Sequence, residues 1–352
     1  MLKDRILSTL KFFDLQDCPL TLLELHKFLL PEPGVLENVL DERGELKPDA
    51  GFPSPQINPV RELTAALDRR QLGNNFPLPP TLSMTFSNGV NISEVQASLE
   101  SHFTNEIICR FGYYALAGRE SIILGRWQNY CYGIKREQLI ARFLPGVRHL
   151  PFLRGVSVLG SQALGMPREG SDIDLLILVD GNRIGLARVF VTCYFQVLGL
   201  RRHGKKIANR FCLNHYVAAN KVLNSDRNLY TASEYLKMRP ALGNRLVANF
   251  QYNNRAWMGL LFSNAAAILP IEERSSSVRL FLERILSARF GRFLERWVKK
   301  AQYNHINRGE FIVVSEDELS FHPNNRKQQL FNNFFSYIKQ QRPQPPSLVS
   351  EI

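Results

Sequence analysis

The chain reads as a mixed α/β (α+β) protein, and three observations carry that reading. Residues 156–159 and 173–179 are short apolar runs joined by a polar turn, the pattern of neighbouring strands. Residues 183–198 then place Ile184, Leu186, Ala187, Val191, Phe195 and Leu198 at helical spacing, apolar nearly all round, as expected of a helix buried against a sheet. Segments of helical period lie on both sides of this unit, which sets helix-rich domains before and after a strand-bearing core. At 352 residues, 45% hydrophobic and 22% charged, the chain is long enough for two or three domains.

From the N-terminus, Ile6, Leu7, Leu10, Phe13 and Leu15 give residues 4–16 a helical period. After Pro19-Leu20, Thr21 and Glu24 have the spacing of a capping box that starts a second helix. Residues 41–92, with Pro48, Pro53, Pro55, Pro59, Pro77, Pro79 and Pro80, read as long loops around one helical interval at 60–71. Residues 93–103 predict a third helix, and 107–115 alternate as a strand before a turn at Ala117-Gly118. Helix, helix, helix, strand is the order of a winged helix. Residues 1–50 nevertheless hold ten acidic and six basic side chains, and the third helix carries Glu94 and Glu100 without a Lys or Arg. Reading DNA needs cations for phosphates, so packing or protein contact is the expected use. Residues 119–141, with Arg119, Arg126, Lys135 and Arg136, read as a helical, basic connector.

In the core, alternation puts Asp172 and Asp174 on one face of the second strand and Ile173, Leu175 and Ile177 on the other. Two adjacent carboxylates repel each other, and a divalent cation removes that cost. Oxygen-rich pairs of this kind suit Mg²⁺ or Mn²⁺. Gly160-Ser161 stands where the first strand hands over to a helix start, so backbone N–H groups there can hold an anion such as a phosphate. A phosphate cradle beside a carboxylate metal site is the equipment for phosphoryl or nucleotidyl transfer. Residues 200–206 hold four cations, as a solvated loop or as a clamp for phosphates. Residues 211–218 alternate as a strand, with Cys212, Asn214 and Tyr216 on one face and Phe211, Leu213, His215 and Val217 on the other. A lone strand histidine such as His215 reads as structural.

Gly160-Ser161 followed by Asp172 and Asp174 on the next strand resembles the signature of the DNA polymerase β-type nucleotidyltransferase superfamily. The resemblance implies that Asp172 and Asp174 bind the metals, and that Gly160 and Ser161, with Ser171, contact the triphosphate of an incoming NTP. In that superfamily a third carboxylate commonly stands on a strand after the helix, and Asn214 is the residue in that place. An amide can coordinate a metal but lacks the charge. More widely, Phe13-Asp14, Pro19-Leu20-Thr21, residues 113–119, Phe211-Cys212-Leu213-Asn214 and residues 319–323 resemble a bacterial group of winged-helix proteins with such a domain. The motif spacing is also similar to that of antitoxin-type nucleotidyltransferases, which transfer AMP to a partner toxin. The fold this implies is an α/β (α+β) nucleotidyltransferase core with an N-terminal winged-helix-like domain and a C-terminal helical domain.

Beyond the core, residues 231–238, 246–267 and 277–307 predict helices. In the last, Leu280, Phe281, Ile285, Leu286, Phe290, Phe293, Leu294 and Trp297 predict a core-facing side. Arg279, Arg284, Arg289, Arg292, Arg296, Lys299 and Lys300 form a cationic ridge about 45 Å long. Nucleic acid or an acidic protein would suit it. Residues 340–352 read as a disordered tail. The expected divisions are therefore 1–127, 128–225, 226–339 and 340–352.

A formal charge of +12 and a pI near 9.6 favour a polyanionic partner. The five cysteines, without a C-x-x-C pair, read as reduced and mostly buried thiols of a cytoplasmic protein. No signal-peptide core stands at the start, and the longest apolar stretch, 256–271, is broken by Ser263, Asn264 and Pro270, so no membrane partner is expected. The expected activity is metal-dependent transfer of a nucleoside monophosphate from an NTP to an acceptor hydroxyl on nucleic acid, protein or a small molecule. The alternative is an impaired nucleotidyltransferase fold that senses nucleotide, or binds a partner or DNA.

Overall fold

The computed structural model describes residues 1–48, 50, 90–102, 106–222, 226–264, 276–305, 313–315, 318–320 and 325–340. The expected helix at 60–71, the tail beyond residue 340 and residues 321–323 lie outside them. Among the described residues, twelve α-helices and two sheets form a mixed α+β fold.

The first part runs α1 (Leu2–Asp14), β1 (Leu20–Thr21), α2 (Leu22–Lys27), α3 (Pro33–Val39), α4 (Ile92–His102), β2 (Ile107–Arg110) and β3 (Tyr113–Leu116). The capping box forms as expected, with the Thr21 N–H donating to Glu24 Oε2 at 2.8 Å and the Glu24 N–H to Thr21 Oγ1 at 3.2 Å. Pro33 starts α3, a helix absent from the sequence reading, so among the described residues four helices precede β2. The single strand expected at 107–115 is a hairpin. Phe111 and Gly112 both have positive φ (54° and 77°), the two-residue reversal that keeps Arg110 opposite Tyr113. The strands pair antiparallel in the order β1-β3-β2.

The segment that follows is helical as expected, α5 (Glu120–Phe143), but of the four cations read in it Arg119, Arg126 and Arg136 are spent on the protein itself and Lys135 is exposed. Arg126 grips Glu24 with both Nη atoms, at 2.8 and 2.6 Å, and lies on the Tyr113 ring. Arg119, just ahead of the helix, pairs with Asp14 and Asp17. Arg136 is fully buried and donates to the carbonyls of Arg168, Glu169 and Ser171 and to Asn209.

The larger sheet contains β4 (Leu153–Val158), β5 (Ile173–Val179), β6 (Phe211–Ala218), β7 (Arg239–Leu242), β8 (Val313–Val314) and β9 (Glu318–Ser320). Their order is β7-β4-β5-β6-β9-β8, with β5 and β6 parallel and the other pairs antiparallel. A parallel pair needs a crossover, which α7 (Ile184–Val197) supplies. The predicted alternation in β5 holds. Ile173, Leu175, Ile177 and Val179 join the core beneath α7, while Leu176 and Leu178 face the opposite core. That second core is continuous with α1 to α4, α8 (Leu229–Lys237), α9 (Asn244–Leu261) and α12 (Asn325–Gln340), through Phe12, Phe13, Tyr235, Trp257 and Phe334.

Alternation fails in β6. Asp174 stands opposite Cys212 and Leu176 opposite His215, so β6 carries one residue more than β5 over this interval. The bulge turns Tyr216 into the α7-side core with Phe211 and Leu213, away from the face on which simple alternation put it with Cys212. His215 is buried, 3.6 Å from Glu318 and 3.4 Å from the Tyr235 hydroxyl, in agreement with a structural role.

Two helices depart from expectation in their exposed faces. On α7, Ile184, Leu186, Ala187, Val191 and Phe195 are buried, but Val197 is 86% exposed, so only one side of this apolar helix meets the sheet. The long helix expected at 277–307 is two, α10 (Ser277–Leu286) and α11 (Arg289–His305), and most of its supposed core-facing residues point outward. Of the expected residues Leu286 and Leu294 face inward, and Glu283, Glu295 and Val298 complete the inner side. Of the five cysteines, all free, Cys18 and Cys212 are buried while Cys109, Cys131 and Cys193 are exposed, which corrects the expectation of mostly buried thiols. No helix among the described residues is long and apolar enough to cross a membrane.

Candidate metal centre

The turn after β4 sets the geometry. The Leu159 N–H donates to the Asp174 carbonyl at 2.9 Å, which holds the turn against β5. The chain then bends into α6 (Gly160–Ala163) through Gly160, whose φ of +64° favours glycine. A β-carbon here would also meet Asp174 Oδ2 at 2.9 Å, so the residue is needed twice over.

Asp172 and Asp174 share a face at the start of β5, and parallel pairing brings Cys212 beside Asp174. Carboxylate oxygens of both aspartates and the Cys212 Sγ all lie within 4.8 Å of one another. Burial, then the negative charge of Asp172, raises the Asp174 carboxyl from 3.8 to about 6. Burial and the two carboxylates likewise push the Cys212 thiol far up. Each shift favours the uncharged form, as expected where negative groups crowd without a full complement of cations.

One cation is built in. The Arg202 guanidinium donates to Asp172 Oδ2 at 2.6 Å and to Cys212 Sγ at 3.6 Å. Its position follows from backbone pairing, since the Arg202 N–H bonds to the Phe211 carbonyl and runs the basic turn alongside the start of β6. Of the two readings open for residues 200–206, Arg202 is thus directed into the cluster. Behind it, Arg136 ties the carbonyls of residues 168, 169 and 171, so the segment leading into Asp172 rests on a buried guanidinium.

The remaining expected residues lie as follows. Ser171 directs its hydroxyl to the Arg168 carbonyl at 2.9 Å. Ser161 is exposed at the start of α6. The Gly160 N–H, expected to face an anion, donates to Glu234 Oε2 at 2.8 Å, and Glu234 is in turn paired with Lys237 at 2.9 Å. Asn214 is half-buried in the bulge, two residues past Cys212. Beside α6, a cavity of about 360 Å³ lined by Tyr130, Ile134, Glu137, Gln138, Gln162 and Gly165 opens against α5.

Sequence reasoning missed Cys212, Arg202 and Glu234 as neighbours of the aspartates. Signals existed for Cys212, which shares the parity first assigned to Asn214, and for Arg202, which lies in the basic turn at 200–206, but none for Glu234. The cluster can hold a metal ion. Mg²⁺, which takes oxygen, would use the two aspartates, whereas a softer ion such as Zn²⁺ would also draw the Cys212 thiolate. Comparison with known proteins finds no matching family model, no matching curated protein and no matching solved structure.

Proposed function

We propose that the chain is a metal-dependent nucleotidyltransferase of the DNA polymerase β type, moving a nucleoside monophosphate from an NTP to an acceptor hydroxyl. One observation carries the reading: Asp172 and Asp174 stand together at the start of β5 with Gly160 packed directly on Asp174. The two aspartates would hold Mg²⁺ or Mn²⁺, which supplies neutralisation of the phosphate charge. Arg202, now on Asp172, is the cation best placed to meet an anionic substrate at the same cluster. The acceptor oxygen would bond to the α-phosphorus as the bond to pyrophosphate breaks, with the hydroxyl proton passing to water or a base. The cavity beside α6 is of a size to take a nucleobase. The succession α1 to β3, with its three-stranded sheet, supports a winged-helix-like domain ahead of this core.

A second reading has its own observation. The Arg202–Asp172 pair already relieves part of the carboxylate repulsion, and the Gly160 N–H is already bonded to Glu234. Both contacts suit an impaired transferase that binds nucleotide or a partner without turnover. Incubation with labelled NTPs, Mg²⁺ or Mn²⁺ and pooled RNA or protein acceptors separates the two. Transfer that is lost in Asp172→Asn with Asp174→Asn supports the enzyme. A Mn²⁺-NTP thermal shift without transfer, lost in the same variant, supports the binding module. Absence of both in the natural chain rejects both readings.

A further inference from the structure

The outer face of α10 and α11 combines two features that the proposed transferase does not use. On α10, Val278, Leu280, Phe281 and Ile285 are each at least half exposed. On α11, Phe290, Phe293 and Trp297 are 60–66% exposed, and their spacing of three and four residues lays them along one strip. Beside that strip, also at spacings of three and four, run the exposed cations Arg289, Arg292, Arg296 and Lys300, with Arg284 on α10.

Every carboxylate of these two helices is turned inward. Glu283 accepts the Phe152 N–H at 2.7 Å and an Arg154 guanidinium N–H at 2.6 Å. Glu295 accepts the N–H groups of Gly185 and Leu186 at the start of α7, both at 2.8 Å. These contacts clamp the pair to the protein from behind and leave an outer face whose charges are all positive.

We propose that this face docks in the plane of an anionic lipid bilayer. The occupant must be negatively charged and must also accept large apolar side chains. Bases of a nucleic acid would stack on Phe290, Phe293 and Trp297, but they offer nothing to Val278, Leu280 and Ile285, which would stay wetted between phosphates. A second copy would set one cationic face against another. A lipid surface meets both requirements: rings and branched side chains enter the headgroup boundary while arginines reach the phosphates alongside. In-plane docking needs no membrane-crossing segment, and it is independent of the metal centre.

Flotation of the full chain with phosphatidylcholine vesicles, with and without phosphatidylserine, tests this directly. The natural protein should float with the anionic vesicles and not with the neutral ones, and added salt should weaken binding. Arg292→Glu with Arg296→Glu, and separately Phe293→Ser with Trp297→Ser, should each reduce binding about tenfold or more while leaving the melting temperature unchanged. In a Trp127→Phe background, where Trp257 is buried, Trp297 emission should shift to the blue on binding. No flotation, equal binding to neutral vesicles, or unaffected double variants would overturn the proposal. So would affinity for a single-stranded oligonucleotide that the same variants abolish in a protein that ignores vesicles. Self-association lost in Phe293→Ser with Trp297→Ser would assign the face to a second copy instead.

Discussion

Replacing Asp174 with Asn should stabilise the metal-free protein at alkaline pH and lose that advantage in acid. Burial first, then the charge of Asp172, raises this carboxyl from 3.8 to about 6. A rise of roughly two pH units corresponds to at most about 3 kcal/mol of strain in the folded state. It is an upper value because Asp174 keeps some contact with solvent. Between pH 3.8 and 6 the folded chain binds more protons than the unfolded one, so stability falls as pH rises through that window. The full cost stands above pH 6 and is absent below 3.8. Asn has nearly the same shape and no charge. At pH 8 in chelator, the variant should melt up to about 4 °C higher than the natural protein if the chain unfolds as one unit. At pH 4 the two should nearly coincide. Mn²⁺ at pH 8 should close the gap by stabilising the natural protein and leave the variant unmoved. A variant that melts lower at both pH values, or a gap independent of pH, would refute the claim that like-charge crowding and burial dominate here.

Three further outcomes follow from individual contacts. Gly160→Ala forces a β-carbon against Asp174 Oδ2 at positive φ, and should cost about 1–3 kcal/mol in urea denaturation and weaken any Mn²⁺-NTP thermal shift. Arg202→Met removes the resident counter-ion of Asp172, so the metal-free protein should lose stability while Mn²⁺ binding tightens several-fold by calorimetry. Unchanged Mn²⁺ affinity would place the ion elsewhere. Glu295→Gln can accept only one of the two N–H groups at the start of α7, and should cost about 2 kcal/mol, equally at low and high salt because the site is buried.

The elements that were legible in the sequence are those that local rules specify. The Thr21–Glu24 box, the 173–179 alternation and the helical period of 184–197 each depend on residues within a few positions, and each appears where expected. The errors share a cause. One helix was read where α10 and α11 stand because apolar spacing continues through the break at residues 287–288. Its faces were misassigned because period alone identifies an apolar stripe but not the neighbour it meets. In α10–α11 two inward-facing carboxylates, the half-buried Glu283 and the buried Glu295, decide the orientation, by holding Arg154 and the start of α7. Arg126 and Arg136 were read only as part of a basic connector, since nothing adjacent announces Glu24 or the carbonyls of 168–171.

The candidate site divides in the same way. The sequence by itself determined that Asp172 and Asp174 share a strand face, that a glycine turn precedes them, and that a strand follows the helix. Pleat and turn chemistry act over two to four residues, so these follow from spacing. Only the tertiary structure decided which groups complete the cluster. Parallel pairing of β5 with β6 put Cys212 opposite Asp174, and a one-residue bulge just beyond that pair altered the parity of the rest of β6, so no count along β6 could supply the register. Arg202 reaches Asp172 across 30 positions, and Glu234 reaches the Gly160 N–H across 74. Charge and hydrogen-bonding capacity are visible in each residue alone, but a partner is defined by distance in space, which folding sets and sequence separation does not encode.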